Sequence, residues 1–312
     1  MKLSLRRRGA AIGAGVVACL AVASVAVGAS TQNPTYNLKA LKGSITADGS
    51  STVGPYTTAA AELFRKAGAG GVKVTVGISG TGGGFQRFCK GETDLADASR
   101  PMKIKEAQSC KDNNIGSWRA FTVANDALTV VVNKQNTWAK CMSVEELKKI
   151  WDQGSKVDNW KDVRAGFPDV PLKLFGPGTD SGTFDYFTGV INGKEKRSRS
   201  DYQASEDDNV LVQGVAGERG GTGYFGFSYY EENQSRLNAV EIRNPKTGQC
   251  VAASVKAAQD GSYNPLARPL FVYAKGSSFK RKEVQAFLDF MIANQAVIAK
   301  RARFVPLTPT SR

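Results

Sequence analysis

Apolar and polar residues alternate over Val72-Lys-Val-Thr-Val76, the period of a strand with one covered face. Ser44-Ile-Thr-Ala47 is a shorter strand before it. Between the two, Ala60, Ala61, Phe64 and Ala67 recur at helical spacing, which predicts a helix over 57–67. Residues 77–84 read as a loop, and 85–90 begin a second helix. Asp94–Arg100 follows and is stopped by Pro101. Phe121–Asp126 and Leu128–Asn133 form an apolar extended segment long enough to cross between two domains; Leu270–Tyr273 is a second candidate crossing strand. Ser143 with Glu146 three residues on predicts a capped helix over 143–151. Leu172–Phe175 is a strand, 183–191 a helix, Gly223–Tyr230 an aromatic strand and 282–301 one long amphipathic helix. This recurring strand–loop–helix order predicts an α/β fold with ligands at the strand ends.

The 312 residues allow about two domains of ~150 residues. Residues 1–29 have the pattern of a secretory signal peptide: basic Met1–Arg8, an apolar small-residue run from Gly9 to Val27, and a small-residue cleavage site at Val27-Gly-Ala29. A membrane anchor or a lipoprotein signal at Cys19 is the alternative. Residues 30–43 read as a polar tether. The chain carries a net charge of +14; losing Lys2, Arg6, Arg7 and Arg8 with the signal leaves 38 basic against 28 acidic residues, or +10. Export argues against nucleic acid, and the basic residues, densest over 194–199, lack the aromatic interleaving of a strand-binding groove. Anionic ligands or an anionic surface fit better. Four cysteines remain beyond the signal, an even number that favours disulfides in an exported chain. Three pairings exist; a short loop favours Cys89–Cys110, leaving Cys141–Cys250.

Catalytic and metal chemistry is poorly supplied. There is no histidine, hence no histidine base or Ser–His dyad, and no CxxC pair for a metal. Asp207 and Asp208 are adjacent carboxylates that no spacing singles out. The GxGxxG match at Gly221, Gly223 and Gly226 lies in an aromatic strand and not at a strand-to-helix turn, which excludes a dinucleotide site. No P-loop pattern occurs. The chain is instead rich in hydroxyl–glycine clusters placed before helices: Asp48-Gly-Ser-Ser-Thr52, Ser79-Gly-Thr-Gly-Gly-Gly84 and Asp180-Ser-Gly-Thr183. Helix starts leave N–H groups unpaired at the positive end of the dipole, and glycines let an anion approach. The triple glycine has no evident packing reason and suits such an approach. Three clusters together predict a small-oxyanion site.

These segments, with Phe88-Cys-Lys-Gly-Glu-Thr-Asp-Leu-Ala-Asp-Ala-Ser-Arg-Pro101 and Gly223-Tyr-Phe-Gly226, resemble the phosphate-binding protein of the Pst-type ABC phosphate importer. The likeness spans residues 44 to about 275. It implies a type II periplasmic-binding-protein fold, two α/β lobes joined by hinge strands with phosphate clasped between them. Lobe 1 would be 44–125 plus 262–312, and lobe 2 would be 126–261. By position, Ser51, Thr52 and the Val53 N–H bind from the first lobe, Ser79 or Thr81 joins them, and Ser181, Gly182 and Thr183 bind from the second. Ser99 stands where the family often has Asp, and Pro177 where it often has Arg. Arg100 is the substitute cation, with Arg199 second. Asp180, or failing it Asp97, would accept the proton that distinguishes phosphate from sulfate. The implied protein is a monomeric binding protein without cofactor or catalysis. It works in the periplasm or on the outer face of the membrane, handing phosphate to permease subunits driven by a separate ATPase. A receptor for sulfate or molybdate, an exported phosphate-ester hydrolase, or an adhesion or sensor protein on the same fold are the competing expectations.

Overall fold

A computed structural model describes residues 36–308 except Asp180 and Glu206. The signal-like residues 1–29 and the Asp180 candidate lie outside the described residues. The chain begins with β1 (Gly43–Gly49), α1 (Gly54–Lys66), β2 (Val72–Ile78), α2 (Gly80–Cys89), β3 (Leu95–Ala98), α3 (Ile104–Asp112) and the 16-residue β4 (Trp118–Asn133). It continues through β5 (Cys141–Met142), α4 (Val144–Trp151), α5 (Trp160–Val163), β6 (Lys173–Pro177), α6 (Gly182–Ile191), β7 (Gln203–Ser205), α7 (Asp208–Gly217) and β8 (Gly221–Gly226). Then come α8 (Phe227–Glu232), β9 (Leu237–Ala239), β10 (Glu241–Arg243), β11 (Cys250–Val251), α9 (Val255–Gln259), β12 (Ala267–Lys275), α10 (Lys282–Ala293) and α11 (Gln295–Arg301).

The main sheet runs β2-β1-β3-β12-β4-β8-β6-β7, with β9 beside β4. β1 pairs parallel with β2 and β3, and β6 parallel with β7 and β8, so two βα units of like construction lie at its ends. β4 serves both. Trp118–Ala127 pair with β12 across a register shift that skips Val123, and Leu128–Asn133 pair with β8 and β9. It is buried from Val123 to Asn133, which accounts for the long apolar run in the sequence. One core gathers α1, α10 and α11 around Phe64, Phe287 and Phe290. The other centres on Trp151, whose ring meets Phe187, Tyr202 and Tyr224 at 5.8, 5.6 and 4.9 Å. Before β1, Leu38 is buried and the Tyr36 hydroxyl donates to Asp289, 2.8 Å away.

The capped helix forms as the sequence predicts: Glu146 N–H donates to Ser143 Oγ and Ser143 N–H to the Glu146 carboxylate. Both disulfides pair as expected, Cys89 with Cys110 and Cys141 with Cys250. Three readings differ. The glycine stretch is not a loop: α2 starts at Gly80, and Gly84 has a packing reason, since a Cβ there would stand 2.4 Å from Gly49 Cα and 2.7 Å from Asp48 O. The aromatic strand ends at Gly226, and Phe227–Glu232 turns into α8. The terminal helix is two helices, broken at Asn294, whose side chain bonds back to Phe290 O. Within the basic run over 194–199, Arg199 is buried.

Candidate functional site

β1 delivers the chain into the first cluster. Ser50 N–H donates to Asp97 O at 2.9 Å, anchoring the turn to β3. Ser50 Oγ then accepts the Thr52 N–H at 3.2 Å, and Val53 N–H donates to Ser50 O at 3.1 Å. The turn thus holds itself, and the Val53 N–H is directed at Ser50 and not at the cleft. The third cluster opens α6: Ser181 Oγ caps the helix by accepting the Thr183 N–H at 3.2 Å. These two helix starts meet. A Cβ on Gly182 would stand 2.4 Å from Thr52 Oγ1, 2.6 Å from Thr52 N and 2.8 Å from Ser51 Oγ. Only glycine permits that approach. Ser51, Thr52, Ser181, Gly182 and Thr183 line one cleft of about 730 Å³, together with Asp126.

Arg268, in β12, joins the two starts, and sequence reading missed it. Its guanidinium donates to Thr52 Oγ1 (3.0 Å), to Ser99 O (3.4 Å) and to Asp126 Oδ2 (3.3 Å), and lies 3.6 Å over the Tyr186 ring of α6. Asp126 is its register partner on β4. Asp126 is buried and Arg268 half-buried, and one side chain therefore touches the first cluster, the end of β3, the crossing strand and α6. Burial raises the Asp126 pKa above the ordinary carboxylate value, while the Arg268 charge opposes the rise. The signal available in the sequence was an Asp within one apolar crossing segment and an Arg just before the other.

The second cluster is divided. Thr81 Oγ1 accepts from Ser99 N–H at 3.2 Å and shares a 3.1 Å bond with Ser99 Oγ. Thr81, Ser99, Arg100 and Arg268 line a second cleft of about 780 Å³. Ser79 instead donates to Asp48, lining neither cleft. Arg100 is held by both Glu106 oxygens at 2.9 and 2.7 Å, so its charge is already matched. Arg199 is far from being a ligand cation: it is buried against Asp201 and the carbonyls of Ile150 and Val157. Asp97 lines neither cleft. It is fully buried in β3, with Oδ1 accepting from Thr57 Oγ1 at 2.8 Å and Oδ2 unpartnered among the described residues. Burial, helped by the Asp48 charge and countered by Thr57, pushes its pKa up to about 7.

The sequence pattern of the PBP superfamily domain matches residues 29–295. Protein SphX of Synechococcus elongatus is 47% identical over 285 residues, 91% of this chain and 83% of that one. The phosphate-binding protein PstS of Staphylococcus haemolyticus is 38% identical over 270 residues, 86% of this chain and 82% of that one. The chain belongs to the PBP superfamily, in the family of the PstS and SphX proteins. The crystal structure of a possible phosphate binding protein from Planctomyces limnophilus superposes with a TM-score of 0.82 at 47% identity, covering 87% of this chain and 95% of that one. An ABC-type phosphate transport receptor from Vibrio cholerae shares the fold, at 20% identity and a TM-score of 0.67. The two-lobe fold of this PBP-superfamily member thus places two helix starts, a half-buried guanidinium and a buried carboxylate at one junction. Such a junction can surround a small tetrahedral anion with N–H, O–H and guanidinium donors, and Asp126 adds one acceptor.

Proposed function

We propose that this chain captures inorganic phosphate between its lobes and delivers it to the permease of an ABC importer whose ATPase is a separate chain. The observation that carries the reading is the meeting of two helix starts, at Thr52 and Gly182, beside Arg268. The relatives named for phosphate binding support it. Ser51, Thr52, Ser181, Gly182 and Thr183 are the donors in this reading, with Thr81 and Ser99 beside them. Arg268 takes the place of Arg100 as the cation. Asp126 accepts the proton that phosphate keeps at neutral pH and sulfate lacks. Facing fully ionised sulfate, that carboxylate meets a negatively charged oxygen with no proton to give it, and selectivity follows.

The lobes are 44–125 plus 262–312 and 126–261. Residues 1–29 direct export, and the chain works as a monomer outside the cytoplasmic membrane. No covalent step is needed. Each charge-assisted hydrogen bond contributes about 1.5–3 kcal/mol, and a handful supports tight binding after closure is met.

Equilibrium phosphate titration of Arg268→Ala and Ser181→Ala tests the reading. Each variant is expected to bind at least ~10-fold more weakly, the loss that one charge-assisted bond implies. Unchanged affinity in both sinks the site. Turnover of a chromogenic phosphate ester by the wild-type chain would favour the hydrolase instead.

A further inference from the structure

Two clefts reach the Arg268 junction, one through Thr52 and Asp126 and the other through Ser99 and Arg268 itself, and their charges differ. The cleft that Ser51 and Ser181 line holds the carboxylates of Glu62, Asp126 and Asp208 against Arg301 and Arg303. Both arginines are already occupied, Arg301 by Glu62 at 2.5 Å and Arg303 by Glu232 at 3.3 Å. The cleft that Thr81 and Ser99 line holds five cations against Asp185 and Glu195: Arg100 and Arg268, paired with Glu106 and Asp126, and the lysines Lys103, Lys194 and Lys196. The three lysines are exposed and form no ion pair among the described residues. They come from both halves of the fold: Lys103 precedes α3, and Lys194 and Lys196 follow α6.

We infer that phosphate enters through this second cleft, and that Lys103, Lys194 and Lys196 steer it inward to the Arg268 junction. The inference rests on the phosphate-binding reading and adds to it a route and three residues that act before contact. The physics is elementary. A phosphate anion carries between one and two negative charges at neutral pH. Clefts lined by one sign of charge focus the field between low-dielectric walls and raise association rates by 10- to 10³-fold. The other opening has no unpaired lysine, and both of its arginines are ion-paired, so it offers no such field. Since the three lysines do not touch the junction, they change the rate of arrival and leave the bound state alone.

Stopped-flow phosphate binding to the full chain, followed by intrinsic fluorescence from low salt to 0.5 M, tests this. The variant is Lys103→Glu/Lys194→Glu/Lys196→Glu, with Arg301→Glu/Arg303→Glu as the control at the other opening. All five residues are exposed, and thermal melts verify that both variants fold. The triple variant is expected to associate about tenfold more slowly at low salt, with a flattened salt dependence and a dissociation rate within twofold of wild type. The control is expected to leave the association rate within twofold. An unchanged association rate in the triple variant, or an equal loss in the control, overturns the proposed route. Absence of phosphate binding in the wild type would instead overturn the phosphate reading itself, a result the equilibrium amplitude reports separately.

Discussion

The Asp97→Asn variant removes one buried charge from beneath the first cluster. Asp97 is fully buried in β3, and its pKa rises from 3.8 to about 7 because burial disfavours the carboxylate. In the unfolded chain the group ionises near 3.8. Between the two values the folded state holds a proton that the unfolded state has released. Stability therefore falls by about 1.4 kcal/mol per pH unit across that window, reaching a total of about 4 kcal/mol above pH 7. Asparagine carries no charge and keeps an acceptor for Thr57. Its amide nitrogen takes the place of the unpartnered Oδ2, at a cost of about 1–3 kcal/mol that does not vary with pH. Urea unfolding of both proteins from pH 4.5 to 8 isolates the effect, because other titrating groups cancel in the difference. The stability of the variant relative to wild type is expected to rise by about 3 kcal/mol over that range. A difference that stays flat with pH would refute the reasoning, since it would mean that the Asp97 carboxylate finds solvent or a partner.

Three further outcomes follow from the junction and the cross-links. Gly182→Ala places a methyl 2.4 Å from Thr52 Oγ1 and is expected to weaken phosphate binding at least ~10-fold and to destabilise the fold by about 1–3 kcal/mol; equilibrium titration and denaturant unfolding check both. Asp126→Asn is expected to lower the phosphate-to-sulfate affinity ratio by about tenfold, read by competition, because an amide can donate to the anion that the carboxylate repels. The pair Cys89→Ser/Cys110→Ser, which opens a bridge with a sequence separation of 21, is expected to lose about 3 kcal/mol in denaturant unfolding.

Local patterns made much of this fold legible. Alternation located β2, the capping pair at Ser143 and Glu146 located α4, and unbroken apolar character located β4. Hydroxyl–glycine clusters before helices pointed at Thr52 and Gly182, and these residues do meet. What the sequence hid is non-local. Arg268 and Asp126 are 142 residues apart, and only the antiparallel register of β4 and β12 sets them side by side. Nothing near Arg100 reveals that Glu106 neutralises it, because both oxygens reach the guanidinium only once α3 turns back towards it. The triple glycine misled for a related reason: its tight contact is with β1, some 35 residues earlier, and that contact lets α2 begin at Gly80. Gly223–Tyr230 has strand-like composition throughout, yet the pairing with β4 stops at Gly226 and the chain coils into α8.

Calorimetric titration of the ligand-stripped wild-type chain with phosphate, and then with sulfate, tests the central claim most directly. One phosphate per chain is expected to bind with micromolar or tighter affinity, and sulfate at least ~100-fold more weakly, as a carboxylate without a proton to accept implies. Equal binding of the two anions would contradict the role given to Asp126, and no heat with either would contradict the phosphate site itself.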